Sequence, residues 1–189
     1  GPVEIGKSAR FRATALREGG ENASYSREFA FSKSTGRPAV LNTKPNDSYT
    51  FEGASLLVDG YHSRPVFTSG AWLGYLDEPL DVTIDMGGEH ANRSVELETL
   101  AEKGDWIFPP SSVTVWVSDN GTDFTEVASV SVPEAKAGDA DGIGRYRMQF
   151  PETSARYLKV VAQNAAAIPA WHPGAGSKGF LFVDEVVVQ

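Results

Sequence analysis

The sequence predicts an all-β protein, an antiparallel jelly-roll type of β-sandwich, and three observations carry that reading. Apolar and polar residues alternate with period two along most of the chain, turn dipeptides separate the alternating runs, and almost nothing repeats with a helical period. Alternation of this kind describes antiparallel strands with one face on a core and the other in water.

In chain order, Phe11, Ala13 and Ala15 alternate with Arg10, Arg12 and Thr14, and residues 9–17 with 25–33 read as a hairpin joined by Glu18–Asn22. Two strands alone are marginal in water, so residues 1–36 read as the remnant of a preceding β-domain, which must dock or fray. Pro38 and Pro45 break residues 37–48 into a crossing linker, and residues 49–189 read as one continuous β-domain. Within it, Leu80, Val82 and Ile84 alternate with Asp81, Thr83 and Asp85, and Val95, Leu97 and Thr99 with Glu96 and Glu98. Val113, Val115 and Val117 follow, then Tyr146, Met148 and Phe150, then Leu158, Val160 and Ala162, and finally Phe180 to Val188. Gly87-Gly88, Asn120-Gly121 and Asp141-Gly142 supply turns. Only residues 162–167 resemble a helix, and Pro169 stops it within a turn or two.

Composition narrows the function. A chain of 189 residues with 41% hydrophobic and 11% aromatic content can build a core. A net charge of −8 with 17 scattered basic residues argues against nucleic acid and against a membrane-binding patch. No apolar run approaches the roughly 20 residues of a membrane helix, so no membrane insertion is expected. The chain lacks cysteine, and Gly1-Pro2-Val3-Glu4 is not signal-like; it opens abruptly in strand-like sequence, as a piece of a larger protein would. His62, His90 and His172 are the only histidines and show no zinc-ligand spacing. No serine stands in G-x-S-x-G. Gly174-Ala-Gly-Ser-Lys-Gly179 fits the dinucleotide pattern, but it follows a Pro-rich loop and opens a strand instead of a helix, so the match is accidental. The acids read as solvated faces, and catalysis by this chain is not expected.

The tail is more informative. From Ile168 to Gly179 the chain is rich in Pro and Gly and carries Trp171-His172. Pro169 and Pro173 remove backbone donors, so this stretch is a loop. Large amphipathic rings on such a loop are poorly placed to fill a core and well placed to touch a ligand. The reading is a binding module.

These residues also resemble a family. Ala54–Gly60, Trp72 and Leu80–Gly87 look like the opening of a discoidin domain, also called a coagulation factor 5/8 type C module or family 32 carbohydrate-binding module. The resemblance continues through Pro110, Val113–Gly121, Phe124 and Ala155–Val160 to Asp184–Val188. With Asp105–Pro109 and Trp171–Gly176, the version is similar to the C-terminal module of secreted bacterial β-hexosaminidases. Residues 1 to about 35 resemble the last strands of the chitobiase C-terminal sandwich that precedes it there. The resemblance implies a jelly-roll sandwich, an ancillary glycan-binding role and a parent glycoside hydrolase outside the cytoplasm. It implies a second partner too, the parent's own catalytic domain.

Site residues follow from the same resemblance. Asp59, in Val58-Asp59-Gly60, stands where discoidin-type modules commonly hold calcium, and Glu185 matches the family's closing acid. Carbonyls of residues 61–70 can complete the hard-oxygen set such an ion takes. The alternative is an Asx-turn at Asp59 and a solvated Glu185. Trp72 falls where the family has a core aromatic, and Trp116 reads as packed beneath a loop or helix-like cover. Trp106 and Trp171 are the candidate sugar platform, with Asp105, Lys103, His172 and Arg64 as polar contacts. The alternative stacks the two indoles on each other as a staple between loops. Galactose-binding members carry a His after a first-loop aromatic; here Phe67 precedes Thr68, so the sugar, galactose-type or hexosamine-type, stays open. An exposed Trp171 favours a sugar-binding module; a buried one favours a structural module docked on its catalytic domain.

Overall fold

The computed structural model describes residues 6–16, 19–20 and 23–189. They form β1 (Ala9–Ala15), β2 (Ala23–Phe29), β3 (Ala39–Leu41), β4 (Leu73–Tyr75), β5 (Leu80–Ala101), β6 (Ser112–Ser118), β7 (Thr125–Ser131), β8 (Gly142–Gln163) and β9 (Leu181–Val188). Four short 3-10 helices, Asp47–Tyr49, Gly53–Val58, Phe67–Ser69 and Lys103–Asp105, are the helical content among the described residues. The stretch after Ala162 finishes β8 and then runs irregularly, without the helix turn that its alanines suggested.

β5 and β8 each run for 22 residues and pair antiparallel along nearly their whole length. Extended, such a ribbon would reach about 70 Å, roughly twice the breadth of a domain of this size. It therefore has to fold over. It does so where the register shifts, between Asp85 and His90 and again between Asn92 and Ser94. Gly87-Gly88, expected as a turn between strands, is this bend inside one strand, with Gly87 at φ 78°.

The bend makes the sandwich. In one layer β3 flanks the first half of β5, while β6 and then β7 extend from the second half of β8. In the other, β9 and then β4 extend from the second half of β5. Leu80, Val82, Ile84, Val113 and Leu158 from the first layer share one core with Val95, Leu97, Val183 and Val186 from the second. The alternation read in the sequence is thus the inward face of each layer. Trp116 alternates outward as expected and is half-buried; the Lys159 ammonium lies 5.3 Å from its ring centre and 4.6 Å from that of Phe124.

The second layer is apolar on its outer face too. Trp72, Leu100, Ile107 and Phe182 are buried there, with Tyr49, Phe67, Ile143 and Phe180 packed against them. Tyr49 meets Phe67, Phe180 and Phe182 edge to face at 6.1, 5.5 and 4.8 Å. Trp72 is the core aromatic expected, its indole N–H donating to the Arg64 carbonyl at 2.9 Å. β9 is consequently buried on both sides, and Glu98, expected on a solvated face with Glu96, is 1% exposed.

The N-terminal hairpin is a separate two-stranded sheet. β2 ends at Phe29, short of the expected residue 33, because residues 30–37 leave it and lie on the sandwich. Ala30 N–H donates to the Gly60 carbonyl (2.8 Å), Lys33 N–H to Val188 (3.0 Å) and Gly36 N–H to Val58 (2.7 Å). Ser34 is fully buried; its hydroxyl donates to the Val186 carbonyl at 2.6 Å and accepts the Val188 N–H at 3.2 Å. Residues 37–48, expected as a linker, instead supply β3: Pro38 and Pro45 flank this edge strand without interrupting its ladder.

Ser34→Ala should lower unfolding stability by about 1–3 kcal/mol, because it strands buried backbone groups of β9. Urea unfolding would show a lower midpoint at unchanged slope. An unchanged midpoint would mean that the clasp contributes nothing.

Candidate functional site

The loops over the outer face of the second layer hold the two sequence-predicted tryptophans. Trp106 closes the 3-10 turn Lys103–Asp105 in a left-handed conformation, φ 64° and ψ 25°. For a bulky residue this costs about 1–3 kcal/mol and persists only where the surroundings over-determine it. Here they do: Trp106 N–H donates to the Lys103 carbonyl at 3.0 Å, and the Trp106 carbonyl accepts the Phe180 N–H at 2.8 Å. The indole lies directly on Gly174, where a Cβ would stand 2.8 Å from the ring; at Gly179 a Cβ would stand 2.8 Å from Phe108. Close packing against aromatic rings thus accounts for these glycines, and the resemblance to a dinucleotide motif is coincidence.

His172 joins the pieces. It is 8% exposed, its Nε2 lies 2.9 Å from the Lys103 carbonyl, and its Nδ1 accepts the Gly174 N–H at 3.0 Å. These partners assign the neutral tautomer with the proton on Nε2. Its ring meets Trp106, Trp171 and Phe108 edge to face at 6.0, 5.6 and 5.5 Å. Both nitrogens are therefore occupied within the protein, and His172 acts as a strut between the 103–108 and 168–177 loops. The indoles do not stack on each other; each packs on His172. Trp171 is fixed further by its N–H, which donates to the Ala135 carbonyl at 2.9 Å. Even so, Trp106 stays 42% and Trp171 40% exposed, which leaves ring surface open to a ligand.

The other polar candidates divide. Lys103 is buried; its ammonium binds the Asp141 carboxylate and the Asp139 carbonyl, and that hydrogen bond holds the Asp141 carboxyl below its usual range. Asp105 is exposed beside Trp106. Arg64 is exposed elsewhere, its guanidinium 5.5 Å from the centre of the Tyr25 ring in β2.

Asp59 and Glu185 are brought together. Asp59 Oδ1 accepts the Tyr61 N–H at 2.7 Å, which is the Asx-turn, and Glu185 Oε2 accepts the Gly60 N–H at 3.2 Å. Glu185 is fully buried and its Oε1 has no hydrogen-bond partner. Burial first, then the nearby Asp59 and Asp184 charges, pushes its carboxyl up to about 10. Burial likewise pushes Asp184 up to about 8, although its Oδ2 accepts the Ser63 N–H at 2.7 Å.

A second acidic element went unread in the sequence. Between the pairs Leu97–Val186 and Thr99–Val183, β5 has one residue, Glu98, while β9 has two, Asp184 and Glu185. This bulge sets two adjacent acids against one residue of β5, and because β9 is covered on both faces all three are buried. Glu98 Oε2 takes His62 Nδ1 at 3.0 Å and Arg145 Nε at 2.8 Å, and its Oε1 is unpartnered. The bond to Glu98 raises the His62 value above its ordinary one. Two adjacent acids inside the apolar run 180–188 were the available signal.

Three comparisons bear on this geometry. The F5/8 type C domain family matches residues 42–178. No curated protein matches significantly. Among solved structures, chitosan-binding module 1 of a Paenibacillus sp. IK-5 chitosanase/glucanase superposes with a TM-score of 0.54 at 16% identity, over 84% of this chain and 98% of that one. CBM32-3 of a family 31 glycoside hydrolase from Clostridium perfringens gives 0.53 at 15%, over 85% and 94%. CpGH89CBM32-5 from Clostridium perfringens, in complex with GalNAc-beta-1,3-galactose, gives 0.52 at 16%, over 80% and 93%. At such identities the likeness is one of fold.

His172→Phe keeps a ring but strands the Gly174 N–H and leaves the Lys103 carbonyl only its bond from the Trp106 N–H, and should cost about 1–3 kcal/mol of stability. Acrylamide should then quench tryptophan fluorescence more strongly. Unchanged unfolding and quenching would show that His172 is no strut.

Proposed function

This chain belongs to the F5/8 type C domain family, and from that premise we propose that it is a non-catalytic carbohydrate-binding module of a secreted glycoside hydrolase. The parent we infer is a hexosaminidase of the chitobiase-like kind, acting outside the cytoplasm, with this module orienting it on glycans. The observation that carries the reading is the pair of half-exposed indoles, Trp106 and Trp171, held at fixed angles on His172. A rigid aromatic face suits the apolar C–H face of a pyranose, and pre-ordering the rings lowers the entropy lost on binding. Asp105 is the open polar group beside them, while Lys103 and His172 support the platform from behind. Arg64 belongs to the hairpin contact and has no part in this reading. One relative in fold holds GalNAc-beta-1,3-galactose and another is a chitosan-binding module, which supports a terminal galactose- or hexosamine-type ligand. No helix of the described residues is long and apolar enough to cross a membrane.

A second reading rests on a separate observation. Tyr25, Phe31, Val40, Phe51 and Val66 are exposed apolar side chains outside the platform. They suit docking against the parent's catalytic domain.

We also propose structural calcium at Asp59 and Glu185. The unpartnered Glu185 Oε1 and the paired acids suit a hard cation. No three His, Asp or Glu side chains among the described residues could by themselves hold a metal. Backbone carbonyls of the loop after Asp59 would therefore complete the set. The ion would neutralise carboxylates that otherwise need protons, and would tie that loop to β9.

Glycan-array screening followed by calorimetry should find weak binding, on the order of 0.1–1 mM. Trp171→Ala should abolish it at a stability cost of about 1–2 kcal/mol, for the lost indole hydrogen bond and ring contacts. A stability loss of roughly 3 kcal/mol or more, as for a buried aromatic, with sugar binding absent from the wild type, would favour docking. Calcium added after chelation should raise the melting temperature, since an ion bound only by the folded state stabilises it. No rise in the wild type, as in Asp59→Ala, would remove the ion.

A further inference from the structure

Beside the platform lies a groove that the platform does not use. Three segments, 108–111, 132–135 and 165–170, enclose a cavity of about 350 Å³. That is at the lower end of small-molecule sites, the size for one compact ligand unit. Its walls are proline, alanine, valine, isoleucine and phenylalanine, with Ser111 and Glu134 as the only polar side chains. Ser111 already donates to the Asn164 carbonyl at 2.8 Å, so Glu134, exposed at the rim, is the single charge.

Groove and platform are continuous. Phe108 forms a groove wall and lies 6.3 Å from Trp171 and 5.5 Å from His172. Ala135, on the opposite wall, accepts the Trp171 indole N–H. A ligand stacked on Trp171 therefore has an apolar trough at its edge. A bare pyranose gains nothing there, because burying hydroxyls against alanine and proline costs hydrogen bonds. An acidic sugar would meet Glu134 in a chain of net charge −8. A free amino sugar would have to strip water from its ammonium against apolar walls. An uncharged acylamido group meets none of these costs: its methyl seeks apolar surface, and its N–H can point to a rim acceptor.

Resting on the sugar-platform reading, we propose that the groove selects N-acylated amino sugars by taking their acyl arm. The matched probes are the methyl β-glycosides of N-acetylglucosamine, glucosamine and glucose, with N-acetylgalactosamine and galactose as a second series. Calorimetry or amide chemical-shift titration should show each acetylated sugar binding about tenfold tighter than its hydroxyl and amino counterparts. Ala166→Leu, placed on an exposed groove residue, should erase that advantage while leaving the hydroxyl sugars and the melting temperature unchanged. Ala165→Leu serves if that variant does not fold. Equal affinities in the wild type, or an advantage that survives both substitutions, would overturn the proposal. If glucose or galactose binds through Trp171 without any acetyl preference, this inference fails and the platform stands. If no glycoside binds, both fall.

Discussion

The structure depends on one constraint: its second layer is apolar on both faces. Phe182 and Leu100 point away from the central core, so something other than the first layer must cover them. The covering comes from chain that has no strand of its own to form, the residues around Tyr49, Phe67, Trp72 and Ile107. Large aromatic residues do this well, because each buries much surface per backbone residue ordered. The loops are pinned flat as a consequence. Ile107 bridges to Phe180, and the turn just before it is forced into the left-handed form that lifts Trp106 outward. A surface built on loops gains the rigidity of a core in this way.

The β9 bulge sets a different problem, since it brings Asp184 and Glu185 inside with Glu98 opposite. His62 and Arg145 both answer Glu98, and backbone N–H groups answer one oxygen each on Asp184 and Glu185. Desolvation outweighs these bonds for Asp184 and Glu185 and pushes both carboxyls up, to about 8 and about 10. Removing a buried partner from such a group is far more costly than losing an exposed pair. The 60–63 loop, β8 and the last strand are thereby joined through these carboxylates as well as through backbone ladders.

Much of the fold was legible because alternation is a direct imprint of two-sided strands. β5, β6 and β8 announced themselves through runs such as Leu80-Asp-Val-Thr-Ile84. β3 and β4, three residues each, are too short to alternate, and β7 lies at an edge with a weakly apolar face. Glu98 misled because period two assumes one wet face, and this strand has none from Leu97 to Leu100. At the site, exposure of Trp106 and Trp171 and the meeting of Asp59 with Glu185 were readable from loop chemistry and family pattern. The roles of His172 and Lys103 were not. Polarity marks a side chain as able to bond, but whether its partner is a ligand or a neighbouring carbonyl is decided by packing from loops distant in sequence.

The Ser34 clasp has a bearing on how such modules can be shuffled. The family match begins at residue 42, yet β9 owes two of its terminal hydrogen bonds to a hydroxyl eight residues earlier. A graft that began where the family match begins would lose β3 as well as the clasp, and would leave the last strand unlatched. Transplanted between enzymes, the functional cassette is therefore longer than the homology unit, and its true seam lies on the hairpin side of residue 30.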